Sequence, residues 1–157
     1  MEDILDVATR FLANRMKTNS QLEKHLSSKE YPQEEISDLV LRFEEYGYLN
    51  DSTYAAIYIS QGLQKGRTVW RIKRELLERG VSEIHIEAGL SQFMDETEQD
   101  PIADEFQRGM AQAEKIIRNQ TEVDSKLLAK AGRKLMSLGY RSEMIYSILG
   151  EFMRGKN

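Results

Sequence analysis

Cysteine is absent from the 157-residue chain. Disulfides and thiolate-held metals are therefore excluded, and a reducing cytoplasm is the expected compartment. No apolar run approaches the roughly 20 residues a helix needs to cross a bilayer, so no membrane partner is expected. The opening "MEDILDVATRF" is acidic and amphipathic, unlike a secretory leader with its basic start. Histidine occurs only at His25 and His85. Each lies beside apolar helical positions without a two-histidine zinc spacing, so both read as structural and no metal is expected. "QGLQKGRT" lacks the order of a phosphate-binding loop, and Ser27-Ser28 has no strand–turn–helix context for a nucleophile. No catalytic residue, cofactor or enzymatic activity is expected.

With 2 prolines, 10 glycines and 31% charged residues, the composition suits a helical protein. Nothing reads as a sustained strand. "AAIYIS" is β-prone, but Tyr54, Ile57, Tyr58 and Leu63 keep helical spacing through it. Net charge is −4, unevenly spread. Residues 64–79 hold six bases against two acids, residues 94–106 hold six acids and no base, and residues 108–141 hold eight bases against three acids. Two basic segments in an acidic chain raise the question of an anionic partner, although a charge run is more often a solvated helix face.

A repeat is hidden in the apolar spacing. "LEKHLSSKEYPQEEISDLV" (22–40), "IKRELLERGVSEIHIEAGL" (72–90) and "AGRKLMSLGYRSEMIYSIL" (131–149) carry one ladder. It reads Leu22, Leu26, Tyr31, Ile36, Val40; then Ile72, Leu76, Val81, Ile86, Leu90; then Ala131, Leu135, Tyr140, Ile145, Leu149. The steps are 4, 5, 5 and 4 each time, and the copies start 50 and 59 residues apart. A step of 4 keeps two side chains on one helix face. The first step of 5 matches the contact across a Schellman cap, with Gly80 and Gly139 where left-handed backbone is required and Glu30 a poorer fit there. The second step of 5 matches a hydrophobic staple behind an N-cap. Ser82 suits that cap. Pro32 and Arg141 do not, so those two helices are expected to start a residue out of register. Further helices are expected near 2–15, 51–65 and 101–119. Thr18 opens a Thr-x-x-Gln capping box and Thr68 holds the matching place without the Gln or Glu.

The fold expected is all-α: a tandem array of three three-helix, helix-turn-helix-like repeats, elongated and curved. The divisions are 1–48, 49–94, and 95–157, the last including an acidic linker. "FEEYGYLNDSTYA" (43–55) is the joint between the first two, with Gly47 ending one helix, Tyr48 and Leu49 packing, and Asn50 and Asp51 opening the next.

Together "YGYLNDSTYA" and "QKGRTVWRIKRELLERGV" resemble the signature of the RecX family, regulators of the recombinase RecA. "RMKTNSQLEKHLSSKEY" and "GRKLMSLGYRSEMIYSIL" are similar to that family's first and third repeats, so the likeness covers nearly the whole chain. The family usually shows Gly-Tyr-Leu-Asp-Asp where this chain has Gly47-Tyr48-Leu49-Asn50-Asp51, and often Gly-Pro where it has Gly66-Arg67. Some members carry a longer N-terminal region. The resemblance implies a non-enzymatic protein lying in the groove of the RecA–DNA filament. It would restrain filament growth, ATPase, strand exchange and coprotease activity.

Two surfaces stand out as candidate contacts with a protein partner or with single- or double-stranded DNA. One is the segment with Lys65, Arg67, Arg71, Lys73, Arg74 and Arg79; Val69, Ile72 and Leu76 form its apolar stripe, with Arg71 and Arg74 opposite. The other is Lys126, Lys130, Arg133 and Lys134 at helical spacing. Trp70 reads as core or as a contact aromatic, and Tyr31, Tyr48, Tyr54 and Tyr140 as packing residues. DNA binding by the chain alone is expected to be weak, and a monomer is expected. The alternative is a direct DNA-binding regulator. It is disfavoured because "PQEEISDLV" and "SEIHIEAGL", the helices after the turns, are acidic or neutral.

Overall fold

The computed structural model describes residues 1–118 and 122–155. Among these, nine helices and no strand are present: α1 (Ile4–Leu12), α2 (Asn19–Ser28), α3 (Gln33–Glu45), α4 (Asp51–Gln64), α5 (Val69–Glu78), α6 (Glu83–Thr97), α7 (Glu105–Ile117), α8 (Ser125–Ser137) and α9 (Ser142–Arg154). They follow one another as three three-helix repeats. None of the described helices is long and apolar enough to cross a membrane.

Every rung of the expected ladder through Ile145 is buried, and Leu149 is partly buried. The three turns inside the ladders have the hydrogen bonds of Schellman caps. Tyr31 N donates to Leu26 O at 3.3 Å, Val81 N to Leu76 O at 3.0 Å, and Tyr140 N to Leu135 O at 3.0 Å. The left-handed residues are Glu30 (φ 67°), Gly80 (φ 85°) and Gly139 (φ 103°). The helix starts do not slip: Pro32 and Arg141 occupy the N-cap positions with extended backbone and no side-chain bond. The staple spacing holds the register without a capping side chain.

Helix α7 begins at Glu105, later than the expected 101. Asp100 Oδ1 accepts from Ile102 N and Ala103 N at 3.2 Å each, and this side-chain turn takes up the residues after Pro101. The β-prone "AAIYIS" lies inside α4, its Ala55, Ala56 and Ile59 buried.

The chain divides into two compact units, one of Met1–Ile59 with Lys73–Thr97, the other of Ser60–Ile72 with Glu98–Asn157. In the first, α1–α3 enclose a core of Val7, Leu22, Leu26, Ile36, Val40 and Phe43, and α6 approaches α4 closely. A Cβ on Gly89 would stand 2.6 Å from Ala55 Cβ and 2.8 Å from Ser52 O. In the second, α7–α9 enclose Ala113, Leu135, Tyr140, Ile145 and Ile148. There the small residue sits on the other partner: a Cβ on Gly109 would meet Ile148 at 2.5 Å. Size is exchanged between facing positions while close packing is kept.

Candidate functional site

The threonine caps have a second bond that the capping pattern alone does not disclose. Thr18 and Gln21 form the expected reciprocal box, at 3.0 and 2.9 Å. Thr18 Oγ1 also donates to Arg79 O at 2.9 Å, beside Gly80. Thr68 behaves likewise: Oγ1 accepts from Arg71 N at 3.2 Å and donates to Gly139 O at 3.3 Å. Thr68 N adds a 3.0 Å bond to Leu138 O. Each threonine at a ladder-helix start therefore docks on the glycine turn of the following repeat. Both threonines are almost fully buried. Crowding explains the two glycines as well as their backbone does. A Cβ on Gly139 would lie 2.5 Å from Thr68 Oγ1 and 2.6 Å from Arg71 Cβ, and one on Gly80 would collide with Ser20. In repeat one the equivalent Glu30 is exposed, so strain in φ is its only burden.

This docking redistributes the first basic segment. In the second unit, Arg71 is half-buried against the Gly139 turn, while Lys65 is exposed. Arg67 N donates to Gly62 O at 3.0 Å across a Schellman cap at Gly66 (φ 89°). Proline at 67 could not make that bond, which gives the departure from the family pattern a structural return. Arg108 Nη2 donates to Arg67 O at 2.6 Å. Trp70 is 44% exposed, with the Arg141 guanidinium 5.8 Å from its ring centre; of its two readings, core is excluded. In the first unit, Lys73 Nζ pairs with Glu87 at 2.8 Å, in an exposed setting where such a bridge contributes little. Arg74 is exposed. Arg79 donates to Tyr54 Oη at 2.6 Å and stacks 4.5 Å over Tyr58, contacts that hold α5 to α4.

The second surface is simpler. Lys126, Lys130, Arg133 and Lys134 are all exposed on α8, opposite the buried Ala131 and Leu135. Asp124 Oδ1 caps this helix by accepting from Leu127 N at 2.9 Å. Among the described residues none of these four cations has a carboxylate within salt-bridge distance. Four like charges held on little more than about two turns raise the local potential towards anions.

The joint is built as its residues suggest. Gly47 (φ 83°) ends α3, Tyr48 N donates to Phe43 O at 2.8 Å, and Asn50 Oδ1 accepts from Thr53 N at 3.0 Å. Leu49 is buried. Tyr48 is corrected: its ring meets Phe43 edge-on at 5.5 Å yet is 67% exposed, beside Tyr46 at 73%. The cap directs it outward across the last turn of α3. Asp51 does more than favour its own helix dipole. It is buried, and its Oδ1 accepts from Asn19 N at 2.9 Å, so it ties the joint to the start of α2. Asn19 Nδ2 donates to Glu44 Oε1 at 2.8 Å beside it. Sequence spacing gives no hint of that long-range carboxylate bond.

Among the described residues no group of three or more histidine, aspartate and glutamate side chains is placed to hold a metal ion. The titratable cluster that sequence spacing missed is around His25, whose ring stacks on Phe11 at 4.0 Å.

Two family models match the chain: "RecX, first three-helix domain" over residues 5–43 and "RecX, second three-helix domain" over residues 50–90. Together they take in just over half of the 157 residues. The chain is 29% identical over 153 residues to the regulatory protein RecX of Bacillus pumilus, covering 95% of this chain and 55% of that protein. It is 38% identical over 80 residues to that of Caldanaerobacter subterraneus, covering 51% and 41%. The chain thus spans about half the length of the first curated relatives it matches. A crystal structure of RecX from Lactobacillus salivarius superposes with a TM-score of 0.71 at 21% identity, covering 94% of this chain and 93% of that one; this likeness shows the fold.

Proposed function

Because the chain belongs to the RecX family, we propose that it is a regulatory protein that binds the RecA–DNA filament and restrains its growth. ATPase, strand exchange and coprotease activity, and with them recombination, repair and the SOS response, would fall as a consequence. It acts without catalysis of its own or a cofactor, as a monomer in the cytoplasm, gripping protein and DNA phosphates across successive repeats taken as 1–48, 49–94 and 95–157. The observation that carries this reading is the exposed four-cation face of α8 in a chain of net charge −4. Cations concentrated on a helix face favour a polyanion-bearing partner despite the acidic total.

The first basic segment contributes at Lys65 and Arg74, whereas Arg79 and Arg71 serve mainly to hold the packing described above. The joint at Gly47–Asp51 is structural: it fixes how α4 leaves α3 and caps α2 through Asp51. A direct DNA-binding regulator fits less well. The helices following the ladder turns, where recognition helices would stand, carry Glu34 and Glu35, Glu83, and Glu143 in their first turns, which repel phosphates.

The test is RecA's ATPase on single-stranded DNA, titrated with substoichiometric amounts of this protein. A fall in rate is expected. An unchanged rate up to one copy per RecA subunit rejects the regulator reading.

A further inference from the structure

Repeat one contains a cationic pocket lying outside both basic surfaces. It is lined by Val7, Arg10, Phe11, Asn14, Lys17, His25 and Lys29. The residues come from α1, the α1–α2 connection and α2, so neither helix alone reveals it. At its centre the Phe11 and His25 rings stack 4.0 Å apart and 11° from parallel. Lys17 Nζ stands 4.9 Å from the Phe11 ring centre. No carboxylate lines the pocket. Glu2 reaches Arg10 from outside at 2.8 Å and also attracts Lys29, and Asp6 lies near Arg10, so Arg10 and Lys29 are partly offset while Lys17 is not.

From this arrangement we infer that the pocket binds a phosphate group, held by Lys17, Lys29 and His25 with Arg10 and the Asn14 amide at its margin. Three long cations and an imidazole converging without a lining acid repel one another, and a bound tetrahedral anion relieves that repulsion. Lysine supplies point charges and histidine a directed N–H, a combination suited to phosphate oxygens. Burial, followed by Lys29, Lys17 and Arg10, holds the His25 imidazole below its ordinary pKa. A phosphate would reverse the electrostatic part of that effect. The site goes beyond the filament reading: it needs no recombinase and stands or falls separately.

The experiment is an NMR pH titration of the whole chain. Its two histidines make His85, bonded to Ser82 on a different repeat, the internal control. Inorganic phosphate is added first, then a short oligothymidylate at equal phosphate concentration, with sodium chloride at matched ionic strength as reference. A rise in the His25 pKa with either phosphate source, and no matching change at His85, supports the site. An oligothymidylate response at lower concentration identifies nucleic-acid backbone as the preferred source; an equal response identifies free phosphate. In Lys17→Gln/Lys29→Gln the phosphate affinity should fall about tenfold or more, with helical circular dichroism unchanged. Equal movement of both histidines, the same effect from chloride, or full retention of binding in the double variant overturns the inference.

Discussion

Replacing Gly139 by alanine should cost far more stability than the same change at Gly47, although both residues end a helix with left-handed backbone. At Gly47 the φ is 83° and a Cβ would meet nothing within 4 Å. The penalty there is backbone strain alone, about 1–2 kcal/mol. Gly139 adds two terms to the same strain. Its Cβ would lie 2.6 Å from Arg71 Cβ and 2.5 Å from Thr68 Oγ1, atoms next to the α5 backbone that cannot swing aside. Overpacking of this kind costs about 1–3 kcal/mol. Displacing Thr68 also threatens its cap on Arg71 N, worth about 1 kcal/mol. The gap between the two variants should therefore be about 2–4 kcal/mol. Urea unfolding followed by circular dichroism measures it, provided the denaturant slope is unchanged between variants. A gap under about 0.5 kcal/mol would refute the docking of Thr68 on the third repeat's turn.

Three other outcomes are expected. Glu30→Gly should stabilise the chain by about 0.5–1 kcal/mol, since relief of left-handed strain exceeds the added freedom of the unfolded state; a loss in urea unfolding would contradict this. Thr18→Val should cost about 2–3 kcal/mol by removing a helix cap and stranding Arg79 O, while Thr18→Ser costs under about 1, read from thermal melts. The His25 pKa is lowered in the folded state, so the unfolded chain binds more protons as the pH drops. Stability from this group is complete above about pH 6.5 and declines below it. Denaturation of His25→Gln should show a smaller loss between pH 7 and 5 than the parent, and equal losses would contradict the sign.

Much of this fold is legible in spacing because the 4-5-5-4 ladder encodes helix, cap and staple together. Local chemistry at Thr18, Gly80, Gly139 and Asn50 then selects the turn geometry. What spacing cannot reveal is contact between residues far apart in the chain. Thr18 reaches Arg79 and Asp51 reaches Asn19, and neither bond leaves a periodic trace. The same limit misplaced Tyr48, where the cap sets the backbone but not the depth of the ring. The candidate basic positions were visible as charge. Their division into exposed cations on α8 and engaged ones such as Arg79 depends on partners 25 residues away at Tyr54. The pocket at His25 is hidden for a related reason, since its cations come from two helices and their connection.

The comparison that bears most directly on function is affinity for RecA-coated single-stranded DNA against bare DNA of the same sequence, at one salt concentration. A filament regulator should bind the coated strand about tenfold or more tightly. Lys126→Glu/Lys130→Glu/Lys134→Glu should weaken that binding and lower its salt dependence while the helical spectrum is retained. Equal or tighter binding to bare DNA would contradict the filament reading and favour a direct DNA-binding regulator.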